Sequence, residues 1–301
     1  MKKIPYSIVD VFSQGPYTGN QLAVFKEAED VSADEMQQIA KEINFSETTF
    51  ILSNTETTDG YSVRIFTPNE EIPFAGHPTL GTAFVINKEM VKEPADSILL
   101  QYKSGQIPVT FDHKKEIVWM KQNEPSFGKI IDADQITDIL NIDPAYIDER
   151  FPIQEVSTGL PVIIVPVTSL HAIKNIHVNL EKYYQLIEQT EAKAILAFSP
   201  ETYNAENHLN VRDFAPYYGI PEDAATGSSN GCLAAYLVQY RYFGNEEIDI
   251  RVEQGYEIKR PSLLFLKAEK EREKINVQVG GQVVSIAKGE WFLNKRENDG
   301  L

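Results

Sequence analysis

Among the many side chains of this 301-residue chain whose chemistry suits proton transfer are a histidine and an aspartate in loops of small residues and a glutamate at the edge of a predicted strand. His77 lies in a loop of small residues, Pro73–Gly81, that leads into an apolar helix. Asp223 lies in a second loop of small residues, and Glu47 follows a predicted helix and begins a predicted strand. Imidazole and carboxyl groups act as general acids and bases when their surroundings bring their pKa close to neutrality. Each group also has an ordinary structural interpretation: a capping or surface histidine, an Asx turn, and an exposed glutamate at a strand end.

Both loops contain a glycine, Gly76 or Gly227, immediately before an apolar helix. The start of a helix presents unpaired backbone N–H groups and the positive end of the helix dipole. Two such starts that meet in one cleft would bind a carboxylate, even on an acidic protein. The pattern therefore predicts a small carboxylate ligand.

The elements that must position these groups repeat along the chain. Gly19–Phe25 is echoed by Gly159–Val165, and Arg64–Pro68 by Arg212–Pro216, while the loop at Gly76 matches the loop at Gly227. The offset drifts in one direction, from 140 to 151 residues, as small loop insertions would produce. The repeat predicts two related halves with a ligand cleft between them, since pockets favour such interfaces. The alternative is that the same succession of strand, turn and helix recurs by chance.

The coarse order of elements is that of an α+β protein in which strands dominate. Val-, Ile- and Phe-rich runs predict strands at Tyr6–Phe12, Gln21–Phe25 and Tyr61–Phe66, and a three-stranded meander ends at Lys121. Apolar residues at helical spacing predict a helix over Asp34–Ile43, with Ser32 and Asp34 as candidate caps. Short helices are also expected over Asp132–Leu140 and from Pro144 onwards. The boundary between the halves is placed near residue 122, giving domains 1–122 and 123–284, with residues 285–301 pairing back onto the first.

Composition and charge exclude several classes of function. Lys and Arg total 28 against 44 Asp and Glu, which gives a formal net charge of −16. Affinity for nucleic acid comes largely from neutralising phosphates with basic side chains, so a nucleic-acid partner is not expected. The longest apolar run, near Gly159–Val167, is too short to span a bilayer. With 42% hydrophobic residues the chain has material for a substantial core.

The single cysteine, Cys232, cannot form an internal disulfide, which fits a reducing compartment. No secretory signal pattern is found at the N-terminus, so we expect a cytoplasmic protein. Cys232 falls on the apolar face of its helix and is expected in the core. Signatures of dinucleotide, P-loop and zinc sites are absent, and the five histidines are scattered, so neither a metal nor a cofactor is expected.

Taken together, the motifs resemble those of the PhzF (phenazine-biosynthesis-like) family, relatives of diaminopimelate epimerase. The resemblance covers the whole chain and rests on six segments: Val11–Phe12, Gly19–Asn20, Asn44–Phe50, Phe66–Pro68, Ala75–Gly81 and Asp223–Ser228. It implies two pseudo-symmetric α+β halves, each a barrel-like mixed sheet around a central helix, with the site between them. It also implies a homodimer.

The resemblance also implies roles for individual residues. Glu47 matches the glutamate that is thought to act as the general acid/base, and His77 and Asp223 match the other two catalytic residues. The apolar neighbours Phe45 and Phe50 are expected to raise the pKa of Glu47. The substrate-binding residues implied are Gly76, Gly227 and Ser228.

Racemases on this fold use two thiols that face each other across the cleft. The matching loops here, Ala75–His77 and Ala225–Gly227, hold no thiol, so a two-thiol mechanism is unsupported. The prediction is a cofactor-independent isomerase that moves a proton between carbons of a small carboxylate substrate. The alternative is a non-catalytic protein that binds a small molecule on the same scaffold.

Overall fold

The computed structural model describes residues 2–53 and 55–293. The strands before residue 122 are β1 (Lys2–Val11), β2 (Asn20–Phe25), β3 (Glu47–Ile51), β4 (Tyr61–Phe66), β5 (Glu71–Ile72), β6 (Ser97–Tyr102), β7 (Gly105–Asp112) and β8 (Ile117–Lys121). The later strands are β9 (Ser126–Ile130), β10 (Gln154–Ser157), β11 (Pro161–Pro166), β12 (Ala194–Ser199), β13 (Leu209–Ala215), β14 (Ile220–Asp223), β15 (Glu247–Gln254), β16 (Ser262–Glu271), β17 (Lys274–Gly281) and β18 (Val283–Leu293). The helices are α1 (Ala33–Ile43), α2 (Gly76–Glu89), α3 (Ala133–Leu140), α4 (Leu170–Lys174), α5 (Leu180–Ile187) and α6 (Gly227–Gln239).

The same succession of strand pairings occurs twice. In the first part of the chain β2 and β3 are parallel, β3 and β4 antiparallel, and β4 and β6 parallel, before the antiparallel meander β6–β7–β8. In the second part β11, β12, β13 and β15 pair in the same alternation, before the meander β15–β16–β17. Strand β8 pairs with β17, which joins the two parts, and β18 pairs with β1. The protein is therefore a mixed, sheet-dominated α+β fold.

Helices α2 and α6 are buried on nearly all sides. Ten of the fourteen residues of α2 and eleven of the thirteen of α6 are buried, as expected of helices that have no distinct polar face. Helix α2 contacts strands β1, β2, β3, β6, β7 and β8, and α6 contacts β10, β11, β15, β16 and β17. Both helices contribute to one continuous apolar core.

The amphipathic helices α1, α3 and α5 each bury one face. Met36, Ile39 and Ala40 of α1 pack in a second apolar cluster, together with Phe25 and Phe50. Helices α3, α4 and α5 cover a third cluster on β11 to β13. Of the two candidate caps predicted for α1, Ser32 is the N-cap and Asp34 lies in the first turn of the helix.

Some element assignments differ from the prediction. Strand β9 was not predicted; its side chains are mostly exposed, so its sequence carries no alternation of buried and exposed residues. The helix expected from Pro144 is a single 3₁₀ turn, Pro144–Tyr146. The boundary near residue 122 stays a prediction, and residues 294–301 of the expected pairing segment lie outside the described residues. Among the helices of the described ranges, none has the length and hydropathy needed to cross a membrane.

Candidate active site

Glu47 is the first residue of β3, and its side chain points inward. Alternation along the strand places Thr49 on the same face, where its hydroxyl lies 2.9 Å from that of Thr82 in α2. The Glu47 side chain is only 14% exposed, so the interpretation as an exposed strand-end glutamate is wrong. Its Oε2 has no hydrogen-bond partner and lies 3.6 Å from Nε2 of His77.

Burial raises the pKa of Glu47 to about 7, although the Ser46 hydroxyl opposes the shift by favouring the charged form. The expected contribution of Phe50 is wrong, because alternation along β3 sends Phe50 to the face opposite Glu47, into the cluster with α1. Phe45 precedes the strand and is partly buried against the same cluster, so its contribution stays a prediction. The carboxyl is instead desolvated by its place beside the start of α2, where His77 lies.

His77 is the second residue of α2 and is 5% exposed. Its Nε2 lies 3.3 Å from the carbonyl oxygen of Gln21. A carbonyl only accepts, so this contact assigns the ring hydrogen to Nε2. Burial lowers the pKa of His77 to about 4, against the opposing effect of Asp223. The imidazole is therefore neutral at neutral pH.

Asp223 ends β14 and comes from the other part of the chain. Its Oδ1 accepts a hydrogen bond of 2.8 Å from the Asn20 amide, and its Oδ2 accepts one of 2.6 Å from the Thr226 hydroxyl. Burial raises the pKa of Asp223 to about 6, with His77 as the largest opposing influence. The negative charge of Glu47 raises the pKa of Asp223 further, so the ionisation of one carboxyl group affects the other.

Asn20 is the residue that sequence reasoning missed. It begins β2 and is buried, and its amide nitrogen donates to Asp223 Oδ1 and, at 3.0 Å, to the carbonyl oxygen of Ala225. The same nitrogen lies 3.5 Å from Nδ1 of His77, and Ser46 Oγ donates to Asn20 Oδ1 at 3.4 Å. Asn20 thus connects the groups around Glu47 with Asp223. Its only sequence signal was its place in the Gly19–Asn20 motif.

The starts of α2 and α6 are in direct contact. A Cβ on Gly76 would lie 3.3 Å from the backbone nitrogen of Ser228 and 3.5 Å from Cα of Gly227. The N-cap residues Ala75 and Thr226 make no side-chain capping bond. The other four α-helices of the described ranges each have one, from Ser32, Asp132, Ser169 and Asn179. The two helix starts in contact with each other are thus the two that lack a side-chain partner for their first-turn N–H groups.

Two other reactive side chains on α6 are in the interior. Cys232 is fully buried, as expected, and burial raises the pKa of its thiol to about 11. Residues Gly227–Gly231 have the Gly-x-Ser-x-Gly spacing of some hydrolases, but the serine, Ser229, is buried beside the carboxyl of Asp213. Within the described ranges, no group of three or more His, Cys, Asp or Glu side chains could hold a metal ion.

The geometry unites all the residues predicted for the site, and comparison with known proteins identifies their family. The family model of the phenazine biosynthesis-like proteins, PhzC-PhzF, matches residues 9–289. The chain belongs to this family. The match confirms the resemblance stated from the motifs.

Relatives extend the identification to the class of reaction. The chain is 33% identical over 294 residues to the trans-2,3-dihydro-3-hydroxyanthranilate isomerase of Pseudomonas aeruginosa, which covers 96% of this chain and 99% of that protein. A PhzF-family crystal structure from Bacillus anthracis superposes with a TM-score of 0.88 at 28% identity, over 97% of this chain and 100% of that one. Relatives named as isomerases match almost end to end, and the protein is an isomerase.

The fold is shared more widely than the sequence. A hydroxyproline epimerase from Agrobacterium vitis superposes with a TM-score of 0.63 over 96% of this chain and 92% of that one, at only 7% identity. Identity this low supports the common fold alone.

Proposed function

We propose that this isomerase moves a proton between carbons of a small carboxylate substrate without a cofactor, with Glu47 as the general acid/base. The observation that carries the proposal is the Glu47 carboxyl oxygen, buried without a hydrogen-bond partner, 3.6 Å from His77. This oxygen lies beside the start of α2, which is in contact with the start of α6. A carboxyl group held near neutrality can both take and return a proton at physiological pH.

In the proposed reaction, the ionised Glu47 takes a proton from a carbon next to an activating group of the substrate. The electron pair of that C–H bond enters a shifted double bond, and Glu47 returns the proton to another carbon on the same face. One C–H bond breaks and one forms, so nothing is oxidised or reduced overall. The low exposure of Glu47 keeps bulk water away from the proton while the carboxyl holds it.

His77 and Asp223 are proposed to orient the substrate and to share its proton. The neutral imidazole keeps its hydrogen on Nε2, which lies near both the Gln21 carbonyl oxygen and Glu47, and we propose that this hydrogen is shared with a substrate carboxylate or a developing negative charge. The two oxygens of Asp223 are held by Asn20 and Thr226, so its carboxyl is fixed before any ligand binds. A fixed geometry of this kind lowers the cost of reaching the transition state.

The first-turn N–H groups of α2 and α6 are proposed to hold the substrate carboxylate, through Gly76 and His77 on one side and Gly227 and Ser228 on the other. Helix starts favour anions because their N–H groups and dipoles both point at the ligand. Glycine at positions 76 and 227 permits the two helix starts to approach each other as closely as they do. This local arrangement outweighs the net charge of −16, which acts over longer and better screened distances.

The substrate class follows from the named relative. The trans-2,3-dihydro-3-hydroxyanthranilate of that enzyme's name is a cyclic amino carboxylate, and we propose a substrate of this class. At the level of the fold, we propose that the repeated pairings make two pseudo-symmetric halves, with α2 and α6 as their central helices. The homodimer and the cytoplasmic location remain predictions.

The test is the incorporation of deuterium from D₂O into a panel of small carboxylates that includes trans-2,3-dihydro-3-hydroxyanthranilate. The native protein is expected to exchange one carbon-bound hydrogen of a substrate. Glu47→Gln keeps the shape and the hydrogen-bonding capacity of the side chain but cannot accept a proton. It should therefore lose exchange by roughly 10²–10⁴-fold while it still binds the ligand.

The matched control is Glu42→Gln, which makes the same change at an exposed position of α1 and should leave exchange unchanged. Exchange that survives in Glu47→Gln would transfer the role of base to Asp223. Binding without exchange by the native protein, across the panel, would favour a non-catalytic binding protein.

A further inference from the structure

A second buried carboxyl lies directly beside Asp223. Asp213 of β13 is the residue paired with Asp223 of β14 in the antiparallel register. Side chains at directly opposed positions project from the same face of the sheet, with Cβ atoms about 5 Å apart. Asp213 is 1% exposed, and neither of its carboxyl oxygens has a hydrogen-bond partner of good geometry, although the Ser229 hydroxyl of α6 lies close enough to favour the charged form. An ionised carboxylate in such a place is costly, so the group is stable there only as the neutral acid.

The first part of the chain provides an internal comparison for this strand pair. Arg64 of β4 donates two hydrogen bonds to Glu71 of β5, and Arg212 of β13 donates two to Glu222 of β14. The two bidentate pairs identify β4–β5 and β13–β14 as equivalent.

The two parts of the chain differ at the residues that directly follow each of these arginines and glutamates. Ile65 is paired with Ile72 in the first part, where Asp213 is paired with Asp223 in the second. In the first part of the chain two isoleucines occupy these paired positions, so the fold itself does not require acidic residues there. The presence of Asp213 therefore points to the chemistry of the site.

We propose that Asp213 and Asp223 form a carboxyl pair that carries one proton, held on Asp213, with Asp213 as a positioning residue that fixes the charge Asp223 presents to the substrate. Two carboxylates this close cannot both ionise without a large penalty. The proposal rests on the proposed role of Asp223 in the reaction.

The groups that face the pair support one proton, held on Asp213. Burial raises the pKa of Asp213 to about 8, helped by the charges of Asp223 and Glu222 and opposed by the Ser229 hydroxyl of α6. Further ionisable groups near the pair are the Cys232 thiol and the Tyr183 phenol on the side of Asp213, and His77 and Glu47 on the side of Asp223.

The nearest arginine does not neutralise Asp213. Arg212 is the next residue of β13, so its side chain points to the opposite face of the sheet. There it binds Glu222 and the carbonyl oxygens of Ile173 and Ile176. On β12, the residue paired with Asp213 is the apolar Leu196. At pH 7 the pair is therefore expected to consist of a neutral Asp213 and an ionised Asp223.

The test is a carbon-13 NMR titration of the ligand-free protein, with the side-chain carboxyl carbons of aspartate labelled. In the native protein one aspartate carboxyl should remain protonated at pH 7 and titrate near pH 8, and its signal should be missing in Asp213→Asn. In Asp223→Asn the neighbouring charge is removed, so the titration of Asp213 should move to lower pH by about one unit or more. Asp249→Asn, a change at an exposed strand position, should alter neither titration.

Asp213→Ile, which copies the residue of the first half, gives the same loss of signal if the asparagine variant does not fold. An Asp213 carboxyl that is ionised at pH 7 in the native protein would overturn the proposal, as would a titration that is unchanged in Asp223→Asn. The titration needs neither substrate nor turnover. A failure of the proposed isomerisation would therefore leave its result intact, and the reverse also holds.

Discussion

Glu47 illustrates how a single residue becomes a proton carrier. Its type is common and its place at a strand end is ordinary, but its carboxyl is buried beside a neutral histidine with one oxygen unpartnered. Burial disfavours the charged form, and the nearest ring offers no positive charge to restore it. The pKa near 7 is the consequence.

The first prediction at this scale is a pH dependence that belongs to Glu47. A base must be ionised, so deuterium exchange should rise with pH through an inflection near 7, where burial has moved the Glu47 pKa. Because the folded-state pKa is raised, the folded protein holds a proton that the unfolded chain releases. Stability from this group is therefore lost as pH rises from about 4.5 to about 7.

Urea denaturation at pH 5 and pH 8 provides the measurement. The native protein should lose stability relative to Glu47→Gln between these two values, because the variant lacks the titrating group. Equal changes in the two proteins would show that Glu47 has an ordinary pKa.

The second prediction concerns Asn20. Asn20→Ala removes the donor to Asp223 Oδ1 and to the Ala225 carbonyl, so two buried acceptors lose their partner. A loss of about 1–3 kcal/mol in the free energy of unfolding is expected. The pKa of Asp223 should also rise, because the lost hydrogen bond favoured its charged form.

Urea denaturation measures the loss of stability, a carbon-13 titration of labelled aspartate carboxyls measures the pKa of Asp223, and deuterium exchange shows whether the site of Asn20→Ala still acts on substrate. Asn245→Ala, at an exposed position, should change stability by less than about 0.5 kcal/mol and exchange not at all. Full exchange and native stability in Asn20→Ala would remove Asn20 from the site.

At the scale of elements, a side-chain cap added to one of the two uncapped helices should raise stability and weaken ligand binding. Ala75 already has the extended backbone of an N-cap residue, so Ala75→Ser should supply the missing capping bond to α2. The ligand-free protein should become more stable by about 0.5–1 kcal/mol. Binding of the substrate carboxylate should weaken, because the serine competes for the same N–H groups.

Thermal unfolding with and without ligand, together with a binding titration, measures both effects. The reverse change at a capped helix, Ser32→Ala on α1, should cost about 1 kcal/mol and leave binding unchanged. Tighter or equal binding by Ala75→Ser would mean that the start of α2 does not hold the carboxylate.

At the scale of the whole molecule, the site depends on a link between distant parts of the chain. Arg260, between β15 and β16, donates to Asp10 Oδ1 at 2.8 Å and to the carbonyl oxygens of Thr18 and Gly19. Gly19 directly precedes Asn20, so these hydrogen bonds hold the loop that positions the side-chain amide of Asn20. The Asp10 side chain is only 3% exposed, so its charge depends on the arginine.

Arg260→Ala should therefore lower both stability and exchange. A loss of roughly 2–3 kcal/mol in the free energy of unfolding is expected for hydrogen bonds to a charged group. The control is Lys2→Ala, which breaks an exposed ion pair with Asp30 and should change stability by less than about 1 kcal/mol. Native exchange in a destabilised Arg260→Ala would show that the loop is held by other contacts.

Local sequence patterns correctly predicted the elements that are determined by interactions between residues close together in the chain. Strand β4, helix α3 and the Ser32 cap of α1 lie where the sequence places them, because alternation and capping involve residues only a few positions apart. The burial of Cys232 followed in the same way from its apolar helix. The mistaken role of Phe50 came from counting neighbours along the chain, where alternation sends adjacent side chains to opposite faces.

By itself, the sequence determined the residue types that could do the chemistry, the family to which they belong and most of the elements that hold them. The tertiary structure decided which of those groups meet: Glu47 with His77, and Gly76 with Gly227. It also revealed two residues that sequence reasoning missed. Asn20 matters because it binds Asp223, 203 residues away, and Asp213 matters because its buried carboxyl has no hydrogen-bond partner of good geometry. Burial and the register between distant strands set the pKa of a carboxyl group, and both arise only when the separate parts of the chain pack together.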